Sequence, residues 1–326
     1  MDWEPPLPAD WTNLHRGFLQ AIMARGSMTL EEAQPILSSL HNAEKSVGAA
    51  GINMDEIGIE DLEAVLSMIR EAISPLDYDI KKHRHQTTKE EVWAFVNINS
   101  DLSTQLATTH TADEMSFIKR LLDAIFDTYN KPRIELMCLT ADQARKLSRP
   151  ARTRESIGVN GESGASQSAT DKGLKHSEVD ALMASLTEEG WLEKSAAGFY
   201  SLAPRALLEL WSWMVESYND PDAEPGEWQR IKHCEACKDI VTVGQRCSNL
   251  DCTVRLHDIC QEAFWRARRD KQCPRCETQW EGNYHVGERA ITATAAYQRA
   301  RQNGRGRPSE IVSSVMAEAE VDDEEE

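Results

Sequence analysis

The chain has 326 residues, enough for about two to three domains of ~100–200 residues each. It carries 54 acidic residues against 36 Lys plus Arg, a formal net charge of −18, which argues against nucleic-acid binding through the surface as a whole. No apolar run reaches the ~18 residues of a membrane span, and Met1-Asp2-Trp3-Glu4-Pro5-Pro6 has neither the basic start nor the apolar stretch of a signal peptide.

Residues 1–10 form a short extension. Leu14, Phe18, Leu19 and Ile22 then recur at helical spacing over 11–26. Thr29 with Glu32 forms a capping-box pattern opening a second helix through Leu40. A third helix is expected from Glu60 to Ala72, stopped by Pro75, and residues 76–80 and 92–96 read as short strands around a polar turn. Three helices and a hairpin make a winged helix over 11–100. That order recurs over 101–218. It has a helix at 112–129, an apolar segment Ile134 to Leu139 and a helix from Thr140. A helix from Ser177 to Gly190, wing strands at 190–193 and 198–202, and a last helix from Pro204 to Tyr218 follow. A Ser/Gly/Thr-rich stretch, 148–175, reads as a mobile insertion, and 219–229 as a linker. Beyond residue 285 the Ala/Gln/Arg-rich tail, with seven acids in its last nine residues, is expected to be disordered.

Seven of the eight cysteines lie between Cys234 and Cys276, with Cys138 alone outside. A tight cluster with a histidine inside it indicates metal ligation in a reducing, intracellular compartment. The string is Cys234-x2-Cys237-x9-Cys247-x4-Cys252-x4-His257-x2-Cys260-x12-Cys273-x2-Cys276. Eight ligands fill two tetrahedral zinc sites, leaving no open position for a catalytic water, so both ions are structural. Two consecutive ribbons are one arrangement, but 247/252 is wider than a knuckle and 237 to 247 is short. The interleaved arrangement assigns Cys234, Cys237, His257 and Cys260 to one ion, and Cys247, Cys252, Cys273 and Cys276 to the other. This is the cross-brace of RING and PHD modules over 230–285. The expected fold class is therefore mainly α with short β hairpins, tandem winged helices preceding a two-zinc module.

The ligand order looks like a PHD finger, yet Lys271 stands where PHD fingers carry a Trp, and no aromatic cage surrounds the first knuckle. Pro274 after the seventh ligand, and Phe264 with Trp265 after the sixth, are similar to a RING. Two positions depart from the RING pattern. Ala236 replaces a large aliphatic residue, and Glu277 replaces an Arg that bridges the conjugating enzyme and its ubiquitin. An acid cannot donate those hydrogen bonds.

Two winged helices, this ligand string and the opening segment His15-Arg16-Gly17-Phe18-Leu19-Gln20-Ala21-Ile22-Met23 resemble the non-SMC element one family, a subunit of the SMC five–six chromosome complex. The resemblance spans residues 11 to about 285. It implies a nuclear RING-type ubiquitin ligase acting in DNA repair and recombination, with a MAGE-type winged-helix subunit, a kleisin subunit and a ubiquitin-conjugating enzyme as partners. By position, Ala236, Phe264, Trp265 and Pro274 line the conjugating-enzyme surface. No acid, base or nucleophile is implied.

A non-catalytic scaffold is the alternative function. Direct DNA contact is expected to be weak or indirect, because the helix 177–190 carries Glu178, Asp180, Glu188 and Glu189 and no Lys or Arg. Arg266, Arg268, Arg269 and Lys271 form a local basic cluster. Cys138, flanked by Met137 and Leu139, reads as a structural thiol, and His83 and His85 as a solvated turn.

Overall fold

The computed structural model describes residues 7–45, 50–99, 109–150, 171–224, 226–268, 270–303 and 307–324, with side chains up to residue 318. Most of the N-terminal extension, residues 151–170 of the insertion, Arg269 and the last two residues of the acidic tail lie outside the described residues.

The chain divides into two units. The first holds residues 1–101 together with 188–191 and 203–212. Its elements run α1 (Asn13–Arg25), β1 (Ser27–Thr29), α2 (Leu30–Glu44), α3 (Ile59–Ile73), β2 (Tyr78–Arg84) and β3 (Glu91–Asn97). The strands form an antiparallel sheet in the order β1-β3-β2. Phe18, Ile22, Leu37, Leu62, Leu66, Ile69 and Trp93 pack as one core, the helical spacing having placed them on facing stripes. The Thr29 and Glu32 side chains cap α2 reciprocally, as the sequence pattern requires. Gly26 closes α1 at φ 76°, where a Cβ would collide with the Arg205 guanidinium. Arg205 itself stacks 4.3 Å over Trp191 and donates to the Glu189 carbonyl at 2.7 Å.

The second unit holds 102–187, 192–202 and 213–326. It opens with α4 (Ala112–Asp123), which continues as a π-helical turn over Ala124–Thr128. There follow β4 (Leu139–Thr140), α5 (Ala141–Lys146), α6 (His176–Glu188), β5 (Leu192–Lys194) and β6 (Phe199–Leu202). The sheet order β4-β6-β5 repeats that of the first unit. Where the insertion leaves and rejoins, Leu174 N–H donates to the Ser148 carbonyl at 2.7 Å and Arg120 pairs with Asp171.

Four expectations are corrected. The segment from Pro204 to Tyr218 is two helices, α7 (Pro204–Glu209) and α8 (Trp211–Tyr218), because Leu210 leaves helical geometry at φ −95°, ψ 9°. The first of them belongs to the first unit, so the boundary at 100/101 does not separate two sequential domains. The segment 219–229 is not a free linker: the Asn219 carboxamide both accepts from Ile231 N–H and donates to its carbonyl, at 2.8 and 2.9 Å.

The tail is the fourth. It folds into α10 (Arg289–Thr292), α11 (Ala295–Gln302) and α12 (Pro308–Glu324), after a zinc-module sheet of β7 (Gly244–Arg246), β8 (Arg255–Leu256) and β9 (His285–Val286). That module also contains a short helix, α9 (Gln261–Arg266). Ile311, Val312, Val315 and Met316 share one face of α12 and bury, with Ile291 and Tyr297, against Leu136, Cys138 and Phe199. The few apolar residues of this polar segment are spaced to make one stripe, which composition alone does not reveal. Among the described residues no helix is long and apolar enough to cross a membrane.

Candidate metal centre

Two zinc-knuckle hairpins have the same construction. In the first, Cys234 N–H donates to the Asp239 carbonyl and Lys238 N–H to the Cys234 carbonyl, both at 2.8–2.9 Å. In the second, Cys273 N–H donates to the Thr278 carbonyl and Glu277 N–H to the Cys273 carbonyl, at 2.9 and 3.0 Å. Each is closed by an isolated bridge, His233 to Ile240 and Gln272 to Gln279. The closure aims both sulfurs of a pair at one point.

The eight side chains assemble as two quartets: Cys234, Cys237, His257 and Cys260, then Cys247, Cys252, Cys273 and Cys276. Within each, the ligand atoms lie within 4.8 Å of one another. The order along the chain alternates, so the two centres are cross-braced and the ribbon arrangement is set aside. Sulfur separations of 3.4 Å (Cys247–Cys276) and 3.5 Å (Cys252–Cys273) exceed any disulfide and approach the ~3.8 Å edge of a tetrahedron with ~2.3 Å Zn–S bonds. His257 Nδ1 stands 3.3 Å from Cys237 Sγ, while Nε2 donates to the Ile240 carbonyl at 3.0 Å. That outer hydrogen bond leaves Nδ1 as the ligand nitrogen. The donor sets fit two zinc ions, one held by three cysteines and a histidine, the other by four cysteines. Bound there, each ion supplies structural cross-linking.

Beside the four-cysteine quartet lies a buried ionic cluster. Glu135, 1% exposed, accepts two bonds from the fully buried Arg255, whose Nε lies 2.8 Å away. Lys232 Nζ and Arg246 Nη1 each approach it to 3.3 Å. Burial opposes the Glu135 charge, yet Arg255, Lys232 and Arg246 overcome it and hold the carboxyl at about 2. Burial, helped by the two arginines, pushes Lys232 down to about 7. The cations come from the zinc module and its approach; the anion comes from the second winged helix. Sequence reading missed this cluster. Its one visible trace was a lone acid inside the apolar run Ile134 to Leu139.

The four residues placed on a conjugating-enzyme surface do not share one environment. Ala236 and Pro274 are exposed, one in each knuckle. Phe264 is half-buried, with Arg268 stacked over its ring at 4.2 Å. Trp265 is a correction: it is 8% exposed and turned inward, 5.4 Å from the Trp280 ring and 4.9 Å edge-on from that of Phe264, because neighbouring positions of α9 point in directions ~100° apart. Trp280 in turn donates to Gln245 at 3.0 Å. Cys138 is 2% exposed, and burial keeps its thiol protonated. His83, 7% exposed, is not on a solvated turn, since it pairs inside the β2–β3 ladder; His85 is half-buried and accepts from Thr87 N–H at 3.2 Å.

Fold and site together define a tandem winged-helix protein that carries a cross-braced, two-metal RING-like module. A family model described as "Nse1 non-SMC component of SMC5-6 complex" matches residues 15–210, and one described as "RING-like domain" matches 234–276. The first match covers more than half of the chain, which belongs to the Nse1 family. The "Non-structural maintenance of chromosomes element 1 homolog" of Rattus norvegicus is 24% identical over 270 residues, covering 82% of this chain and 84% of that protein. The Homo sapiens homolog is 21% identical over 273 residues, with the same coverage. A solved structure named "Nse1-Nse3-Nse4 complex" superposes at a TM-score of 0.62 with 20% identity, covering 84% of this chain and 99% of the other; the likeness is one of fold.

Proposed function

We propose that this chain is the RING-type ubiquitin-ligase subunit of an SMC5-6 complex, acting in the nucleus in DNA repair and recombination. Its partners are then a MAGE-type winged-helix subunit and a kleisin, in keeping with the composition of the structurally similar Nse1-Nse3-Nse4 assembly. The observation that carries the reading is the exposure of Ala236 and Pro274 on two knuckles fixed to one cross-braced frame, with Phe264 on the helix after the sixth ligand. A RING ligase forms no covalent intermediate. It holds the charged conjugating enzyme so that a lysine attacks the thioester in a near-attack geometry. Trp265 supports that surface from beneath.

Glu277 is exposed and Ala236 offers a single methyl, so the intrinsic contact is weak and partner-dependent. The same two residues favour the second reading, a scaffold with no transfer activity. The test is a reconstituted ubiquitination assay with a panel of conjugating enzymes, with and without the winged-helix partner. The ligase reading expects chains that vanish with Phe264→Ala or Cys234→Ala. No chains under any combination, with both metals bound, would establish the scaffold reading instead. Direct DNA recognition by α6 is disfavoured: Asp180 is engaged by Arg145 at 2.9 Å and no Lys or Arg on the helix offsets its acids.

A further inference from the structure

The buried cluster around Glu135 couples the winged helix to one particular metal site. Arg246 reaches Glu135 and also donates from Nη2 to the Leu250 carbonyl at 2.8 Å, inside the Cys247–Cys252 loop. Arg255 binds Glu135 through Nε and Nη2, and its Nη1 donates to the carbonyls of Cys252 and Val254 at 2.7 and 2.8 Å. Both arginines therefore hold carbonyls of the segment that carries Cys247 and Cys252, two ligands of the four-cysteine site. Arg255 meets the histidine-containing quartet through its backbone instead, its carbonyl accepting from Glu235 N–H at 2.9 Å.

The charges match this geometry. Arg246 and Arg255 together face the single Glu135 carboxylate, an excess of positive charge with no solvent to screen it. Four thiolates around a divalent ion leave two negative charges; the other centre, with a neutral imidazole in place of one thiolate, leaves one. The positive excess thus stands beside the more negative of the two centres.

We infer that Glu135 of the second winged helix is an outer positioning residue of the four-cysteine zinc site, orienting Arg246 and Arg255 to brace its ligand loop and balance its charge. The inference stands whether or not the module recruits a conjugating enzyme. Outer-sphere partners of this kind change metal affinity ~10–100-fold.

The experiment uses the full chain loaded with zinc, or with cadmium-113 so that NMR resolves the two ions by their different donor sets, and follows their removal by a competing chelator. For Glu135→Gln the expected result is a ~10–100-fold weaker hold on the four-cysteine ion, with the histidine-bound ion unchanged. Glu135→Asp keeps the charge but shortens its reach, so it gives a smaller loss at the same site while preserving the fold. Asn130→Ala is the control. It removes a 2.7 Å bond to the Arg230 carbonyl in the same unit without touching the arginines, and should leave both ions as in the parent. Unchanged affinity at the four-cysteine site in both Glu135 variants overturns the inference. So does equal loss of both ions, which would mark a general loosening of the unit.

Discussion

Lys238 and Glu277 occupy equivalent places in the two knuckles, each directly after a second cysteine, each left-handed at φ 66° and 59°. Each donates its N–H to the carbonyl of its knuckle's first cysteine. A β-branched side chain resists this conformation. Lys238→Val or Glu277→Val should lower stability by about 1–2 kcal/mol, and glycine at either place should not. Urea unfolding of the zinc-loaded chain measures the difference.

Zinc binding should be strongly pH-dependent. Without an ion, burial pushes the Cys252 and Cys260 thiols up to about 11, so they are protonated at neutral pH. Zinc takes thiolates and must displace these protons. Affinity therefore climbs as pH rises and falls on acidification. Competition with a chromogenic chelator between about pH 6 and 8, with proton release followed by calorimetry in two buffers, tests both the sign and the stoichiometry of two ions. A pH-independent affinity would contradict it.

Arg255→Met strands the Glu135 charge with its strongest partner removed, a change of about 3–5 kcal/mol for a buried pair. Glu262→Ala removes an ion pair to Arg266 whose side chains are 82% and 74% exposed. Screening makes that loss unmeasurable. Paired denaturation curves distinguish the two sites.

The terminal helix should shield Cys138. In the zinc-loaded chain iodoacetamide should leave Cys138 unmodified, because it is buried and its thiol is held protonated. Ending the chain after Asn303 removes the Ile311, Val312, Val315 and Met316 stripe, at about 1.5–3 kcal/mol for each fully buried side chain. Cys138 should then alkylate, as peptide mass spectrometry would record, and continued protection would show that α12 is not its cover.

Local pattern carried much of this fold. The stripe of Phe18 and Ile22, the Thr29/Glu32 box and the wing strands all appear where the periodicity and caps put them, since these are contests between near neighbours. The helix break at Leu210 left no such mark, and neither did the docking of the tail. Both depend on what each segment packs against. Trp265 shows the same limit within the site, because adjacent aromatics look alike until a helix turns one of them inward.

By itself the sequence determined the eight ligands and favoured their interleaved division into two quartets, because knuckle spacing and tetrahedral coordination leave few ways to fill two ions. It also set the acidic character of α6. Only the tertiary structure decided that Glu135 meets Arg255 across 120 positions of chain. A buried charge is tolerable only beside its counter-charge, and no local rule states which distant residue will supply one.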